Sequence, residues 1–240
     1  MHIQVLACDY DGTLAHDGHV TPSTVAALER FLATGRKLVL VTGRQLDELS
    51  AIFPEIRLFV GVVAENGALL YYPATKVEKL LADAPTAAFV QALRDRKVAP
   101  FGIGRVIVAS WKPNEIAILE AIRDLGLDLQ LIFNKDAVMV LPAGVNKASG
   151  LRAMLVALGL SLDETVGVGD AENDLAFLHI CGCAVAVANA LSAVQEGADL
   201  VTKAGHGQGV EELIDMVIAS DLKDVHRKSR QVFPPLTSPR

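Results

Sequence analysis

Residues 3–13 read Ile3-Gln4-Val5-Leu6-Ala7-Cys8-Asp9-Tyr10-Asp11-Gly12-Thr13. A short apolar run gives way at once to two aspartates and a glycine. Such a run, ended by turn residues, predicts a strand over 3–7 that is buried on both faces, as in a parallel sheet covered by helices. The following segments keep the rhythm. Thr21-Pro22 predicts an N-cap and first-turn proline, Val25, Leu28, Phe31 and Leu32 recur at helical spacing, and Gly35 closes the helix. A second strand is expected over 37–41, a helix through Leu46 and Ile52, and a third strand over 58–64. The late chain repeats the pattern. A helix over 147–158 is stopped by Gly159, strands at 165–168, 184–187 and 200–202 alternate with helices after Asp170 and Asn189, and a last helix covers 210–218. Strand–helix alternation with apolar strands gives the fold class: α/β, a doubly wound, Rossmann-like parallel sheet.

The middle of the chain departs from that rhythm. Residues 85–98 and 114–125 read as amphipathic helices, and strands are expected at 105–109, 129–133 and 137–141. Asn134-Lys135-Asp136 between the last two predicts an antiparallel hairpin. Residues 73–142 are therefore expected to form an inserted α+β module, with 1–72 and 143–219 as the core. The polar stretch 220–240 reads as a disordered extension or a linker.

Composition excludes several classes. With 240 residues and 51% hydrophobic, the chain can bury a sizeable core, and its net charge of -6 argues against a nucleic-acid surface. No run approaches the ~20 apolar residues of a membrane span, and the opening residues lack the basic n-region of a signal peptide. Cys8, Cys181 and Cys183 have no metal-site spacing and are expected to be buried, reduced thiols. The expectation is a cytoplasmic globular protein with no nucleic-acid or membrane partner.

Four short segments, each at a strand end or helix start, concentrate the chemistry. Asp9 and Asp11 follow the first strand, where two carboxylates at i and i+2 can converge on one cation and Gly12 permits a tight turn. Thr42-Gly43-Arg44 follows the second strand and suits an anion at a helix N-terminus, although a capping threonine is the plain alternative. Lys147 begins a helix, where a cation is unfavourable unless an anion is near. Gly169-Asp170-Ala171-Glu172-Asn173-Asp174 follows a late strand and places three polar residues at a helix start. Open α/β sheets bind ligands at these strand ends. Carboxylates, a lysine and a hydroxyl gathered there are what Mg2+ and a phosphate monoester require.

With these four motifs in order, the sequence resembles the haloacid dehalogenase superfamily of phosphohydrolases over nearly all of residues 3–218. Ala64-Glu65-Asn66-Gly67-Ala68 and Val185-Ala186-Val187-Ala188-Asn189-Ala190 are similar to segments of its Cof-type branch. That branch carries an α+β cap and includes sugar phosphatases and archaeal phosphoglycolate phosphatases. The long insert between Thr42 and Lys147 matches that cap position, and its length resembles the archaeal phosphoglycolate phosphatases.

The resemblance implies a magnesium-dependent phosphatase acting on a small phosphomonoester. Asp9 would be the nucleophile and Asp11 the general acid and base. Mg2+ would lie on the Asp9 carboxylate, the Asp11 backbone carbonyl and the Asp170 carboxylate. Thr42, Gly43 and Lys147 would hold phosphate oxygens, Asn173 would fix Lys147 or phosphate, and Asp174 would orient the metal site. Arg44, Glu65 and Asn66 are candidates for touching substrate from the core, and Arg105, Trp111 and Asn134 from the cap. A phosphomutase, or a regulatory domain attached through the basic tail, are the alternatives.

Overall fold

The structure is a computed structural model and describes residues 2–228. Its first half runs β1 (Val5–Cys8), α1 (Pro22–Ala33), β2 (Lys37–Val41), α2 (Leu46–Ile52), β3 (Gly61–Ala64), β4 (Leu69–Tyr72) and β5 (Val77–Leu80). The middle comprises α3 (Ala87–Asp95), β6 (Phe101–Ile103), β7 (Val108–Trp111), α4 (Glu115–Asp124), β8 (Leu129–Asn134) and β9 (Ala137–Pro142). The chain then returns through α5 (Lys147–Leu158), β10 (Thr165–Gly169), α6 (Leu175–Ile180), β11 (Cys183–Ala186), α7 (Ser192–Gly197), β12 (Leu200–Val201) and α8 (His206–Ser220).

Eight strands form the large sheet in the order β12-β11-β10-β1-β2-β3-β4-β5, the first six parallel and the last two antiparallel. β1 is central because all four of its residues are apolar and buried, which an edge strand cannot satisfy. α1 packs on α8, and α5 packs on α6. Right-handed crossovers put these two pairs on opposite faces of the sheet. Parallel pairing has a direct functional consequence. Neighbouring strands lie about 4.8 Å apart, so the residues just past their C-terminal ends form a row: Asp170 after β10, Asp9 after β1, Thr42 after β2 and Glu65 after β3.

The middle residues build a second sheet, antiparallel throughout, in the order β6-β7-β9-β8. β9 shows why its sequence is continuously apolar. Val138 and Val140 enter a core with Phe89, Leu93 and Ile118 of α3 and α4, whereas Met139 and Leu141 on the other face pack with Ala68, Val106 and Ile107. One face of this sheet therefore holds its own helices and the other rests on the large-sheet body.

Several expectations are corrected. Residues 54–58 form a 3-10 turn begun by Pro54, so the third strand starts only at Gly61. β5 lies inside residues 73–142 yet pairs with β4 at the edge of the large sheet. The strand expected at 105–109 begins at Val108, because the amides of residues 105–107 are held by Glu65. Residues 221–228, expected to be a disordered extension or linker, pack on the core. Leu222 is buried, Asp221 accepts from Arg36 and the Ile3 amide, and the Lys228 amide donates to Asp199. The remainder of that expectation, 229–240, lies outside the described residues. Cys8, Cys181 and Cys183 are buried. Among the described residues, no helix is long and apolar enough to cross a membrane.

Candidate active site

Asp9, Lys147, Asp170 and Asp174 form a buried cluster at the centre of the row. Lys147 reaches it because α5 starts close to the sheet. Asn146 caps the helix by accepting from the Ala148 and Ser149 amides, and Gly67, at φ 106°, leaves room for the Asn146 carbonyl. Any side chain at Gly67 would collide with that carbonyl. The result is a lysine only 1% exposed. Its Nζ donates to Asp9 Oδ1 at 2.5 Å and to Asp174 Oδ1 at 2.6 Å.

The other Asp174 oxygen accepts from the amides of Asp170 and Ala171, both at 2.9 Å. Asp174 is thus saturated by a cation and two amides, and it fixes both Lys147 and the Asp170 backbone. Asp170 Oδ1 accepts from the Thr13 hydroxyl at 3.1 Å. Gly12, at φ +84°, turns the first loop so tightly against Asp170 that an added Cβ would sit 2.3 Å from Oδ2. Asn189 braces this turn by donating to the Gly12 carbonyl at 2.8 Å.

Burial shapes the electrostatics. It pushes the Asp9 carboxyl well above the usual range, a rise that Asp174 reinforces and Lys147 opposes. It raises Asp170 as well, again with help from Asp174. Burial works against the charge on Lys147, but Asp174 and Asp9 outweigh it and hold the ammonium protonated. Lys147 pairs with Asp9 and Asp174, so the buried cluster holds an excess of carboxyl groups over ammonium groups.

A hard divalent cation fits that excess. Asp9, Asp170 and Asp174 each offer a carboxylate oxygen within 4.8 Å of the others, an all-oxygen set suited to Mg2+. Since Asp174 is already committed to Lys147 and two amides, Asp9 and Asp170 are the side chains that could hold such an ion.

Asp11 stands apart from the buried cluster, its side chain 38% exposed. Arg44 grips it in a two-point pair, Nε to Oδ2 at 2.7 Å and a terminal nitrogen to Oδ1 at 2.6 Å, while lying over the Tyr10 ring. Thr42 is buried and accepts from the Arg44 amide at 3.1 Å. Gly43 faces the second sheet, where an added Cβ would lie 3.3 Å from Met139 Sδ.

The remaining candidates divide. Asn173 donates to Asn66 Oδ1 at 3.2 Å and contacts neither Lys147 nor Asp9 through a hydrogen bond, while its own Oδ1 is buried without a partner. Asn66 is buried, and its amide donates to the Thr42 carbonyl at 2.9 Å, so it braces the loop. Glu65 is 0% exposed and accepts from the amides of Arg105, Val106 and Ile107 at 2.8, 2.8 and 2.9 Å. It pins the second sheet to the core and is not open to a substrate. Arg105 is held by Asp47 and Glu78, which makes it another pin of that junction. Trp111 is half exposed on β7, and Asn134 ends β8 with a buried, unpartnered Oδ1.

Sequence reasoning passed over Lys135, whose Nζ lies 3.6 Å from Asp170 Oδ2. Only its place in a hairpin turn was visible beforehand. The bracing roles of Thr13 and Asn189 were likewise unassigned, though both stand inside motifs quoted for other reasons.

Comparison with known proteins identifies the family. The model of haloacid dehalogenase-like hydrolases matches residues 6–108 and 113–214. The chain belongs to that family. The phosphoglycolate phosphatase of Methanothermobacter thermautotrophicus is 30% identical over 220 residues, covering 88% of this chain and 97% of the relative. A haloacid dehalogenase-like hydrolase from Bacteroides thetaiotaomicron superposes with a TM-score of 0.76 at 18% identity, covering 90% of this chain and 99% of the other. A sugar phosphatase of haloacid dehalogenase subclass IIB gives 0.71 at 20% identity, with 88% and 98% covered. These two likenesses establish the shared fold, a mixed α/β architecture with a central parallel sheet and helices. The chain is an enzyme, a phosphatase of the haloacid dehalogenase family.

Proposed function

We propose that this phosphatase hydrolyses a small phosphomonoester of the phosphoglycolate type, through a phosphorylated Asp9 and with Mg2+ as cofactor. The observation that carries the reading is the division of labour between two aspartates. Asp9 is buried and oriented by Lys147, whereas Asp11, two residues on, is kept outside the cluster at an open edge.

That division suits a two-step reaction. A fixed Asp9 carboxylate attacks phosphorus, forming a P–O bond to the aspartate as the bond to the leaving alcohol breaks. Turned away from Arg44, which occupies both its oxygens in the resting protein, Asp11 gives a proton to the departing oxygen and later takes one from the water that splits the acyl phosphate. Arg44 holds Asp11 at the edge of the site between turnovers, and Lys147 fixes the Asp9 carboxylate through Oδ1. Thr42 and Gly43 line the strand end where phosphate oxygens would lie. Bound at Asp9 and Asp170, with the Asp11 carbonyl as a further donor, Mg2+ would supply charge that offsets repulsion between carboxylate and phosphate.

The catalytic body is read as residues 1–72 and 143–219, together with β5, and the rest of the insert as a cap that selects the substrate. The curated relatives named for phosphoglycolate support that substrate type over a hexose phosphate. Acetyl phosphate tests the nucleophile, because its leaving group needs little protonation. Asp11→Asn should accumulate one phosphoryl group on Asp9, seen as a mass increase that hydroxylamine removes, and Asp9→Asn should show none. A label on Asp170, Asp11 or a serine overturns the assignment.

A further inference from the structure

Lys135 is the cationic side chain that the second sheet delivers to the acidic cluster. β8 and β9 are joined by the two-residue loop Lys135-Asp136, with Asn134 paired to Ala137. The loop stands over the core so that the Lys135 ammonium reaches Asp170, itself almost fully buried. The Asp136 carboxylate points elsewhere, 4.0 Å from Lys112. Lys135 adopts φ 55°, a conformation that two-residue hairpins usually give to glycine or asparagine. Lys76 and Lys97 share that conformation, so backbone strain does not single Lys135 out. Its position over the cluster does.

The phosphoryl end of a substrate is already served from the core, by Lys147 and by the loop at Thr42 and Gly43. Lys135 comes instead from the hairpin of the second sheet, the unit read above as the cap that selects the substrate. Its side chain is 63% exposed, so the ammonium is hydrated and adjustable. A hard cation held by Asp9 and Asp170 would repel the ammonium from Asp170 and leave it for an anion on the substrate.

We propose that Lys135 is a specificity-determining residue that binds an anionic group on the leaving alcohol, so that carboxylated phosphomonoesters are preferred over neutral ones of equal size. This rests on the phosphatase reading above and narrows its substrate class. Phosphoglycolate and 2-hydroxyethyl phosphate differ chiefly in that carboxylate and make the decisive pair. The wild type should favour phosphoglycolate at least tenfold in kcat/KM. Lys135→Gln should lose at least tenfold on phosphoglycolate and less than threefold on 2-hydroxyethyl phosphate, and Lys135→Arg should keep the preference.

Two measurements separate recognition from folding and from turnover. Trp111 is the sole tryptophan and pairs with Ala137 beside the loop, so its fluorescence should report glycolate binding directly. With Mg2+ present, that signal should weaken at least tenfold in Lys135→Gln. Lys135→Gly suits the positive φ, and its thermal midpoint should equal or exceed the wild type while the preference is lost. Equal losses on both esters, or an unchanged preference, overturn the inference and leave the phosphatase standing. No release from either ester or from p-nitrophenyl phosphate overturns both.

Discussion

Glu65→Ala removes a carboxylate that receives three consecutive backbone amides of the segment joining β6 to β7. The bonds are 2.8, 2.8 and 2.9 Å long, and the Val106 and Ile107 amides are buried. The Arg105 amide is less enclosed and can regain water. Leaving two buried amides without acceptors costs about 1–3 kcal/mol each. Relief of the desolvation that a buried carboxylate suffers offsets part of this. A net loss of about 2–4 kcal/mol is expected, a large share of the roughly 5–15 kcal/mol typical of a domain. Glu65→Gln keeps the volume and one oxygen able to serve two amides, but turns an NH2 group toward the third, so about 1–2 kcal/mol is expected. Urea unfolding followed by Trp111 fluorescence and far-ultraviolet circular dichroism measures both, with the exposed Glu29→Gln as a control. Limited proteolysis should show new cleavage near residues 104–107 in Glu65→Ala. A loss under about 1 kcal/mol in Glu65→Ala, with protection of that segment intact, would refute the idea that this carboxylate pins the two sheets together.

Other outcomes follow from the same geometry. Gly12→Ala must place a methyl 2.3 Å from Asp170 Oδ2 at φ +84°, so phosphate release should fall at least about a hundredfold, measured with p-nitrophenyl phosphate. A chelator should abolish turnover of the same ester and added Mg2+ restore it, because excess buried carboxylate otherwise opposes the phosphate; full activity in chelator contradicts the site. Burial raises Asp221, but Arg36, His2 and the Ile3 amide outweigh it and bring its carboxyl down to about 2 from an ordinary 3.8. The folded value is depressed, so its stabilisation is complete above about pH 4 and fades as pH falls toward 2. Linkage sets an upper bound of about 2 kcal/mol, screened toward ~1 by nearby solvent. Asp221→Asn should therefore show its deficit in urea at pH 7 and have little left near pH 2, and a deficit independent of pH would contradict this pairing.

Local signals were legible wherever one segment contained its own reason. The apolar run into Asp9, the Thr21-Pro22 start of α1, and the helix from Lys147 to the left-handed Gly159 all stand where the sequence places them. The row of Asp9, Thr42 and Asp170 was legible too, because parallel strands align their ends. Function at Glu65, Arg105 and Lys135 was not. Glu65 meets amides 40–42 positions away, Arg105 meets Asp47 and Glu78, and Lys135 meets Asp170 across the join between two sheets. A buried carboxylate gripping backbone and an exposed one facing substrate look identical in a sequence. Only the approach of the second sheet to the first decides which carboxylate is shut in and which ammonium stands over the site, and that approach depends on contacts no local pattern records.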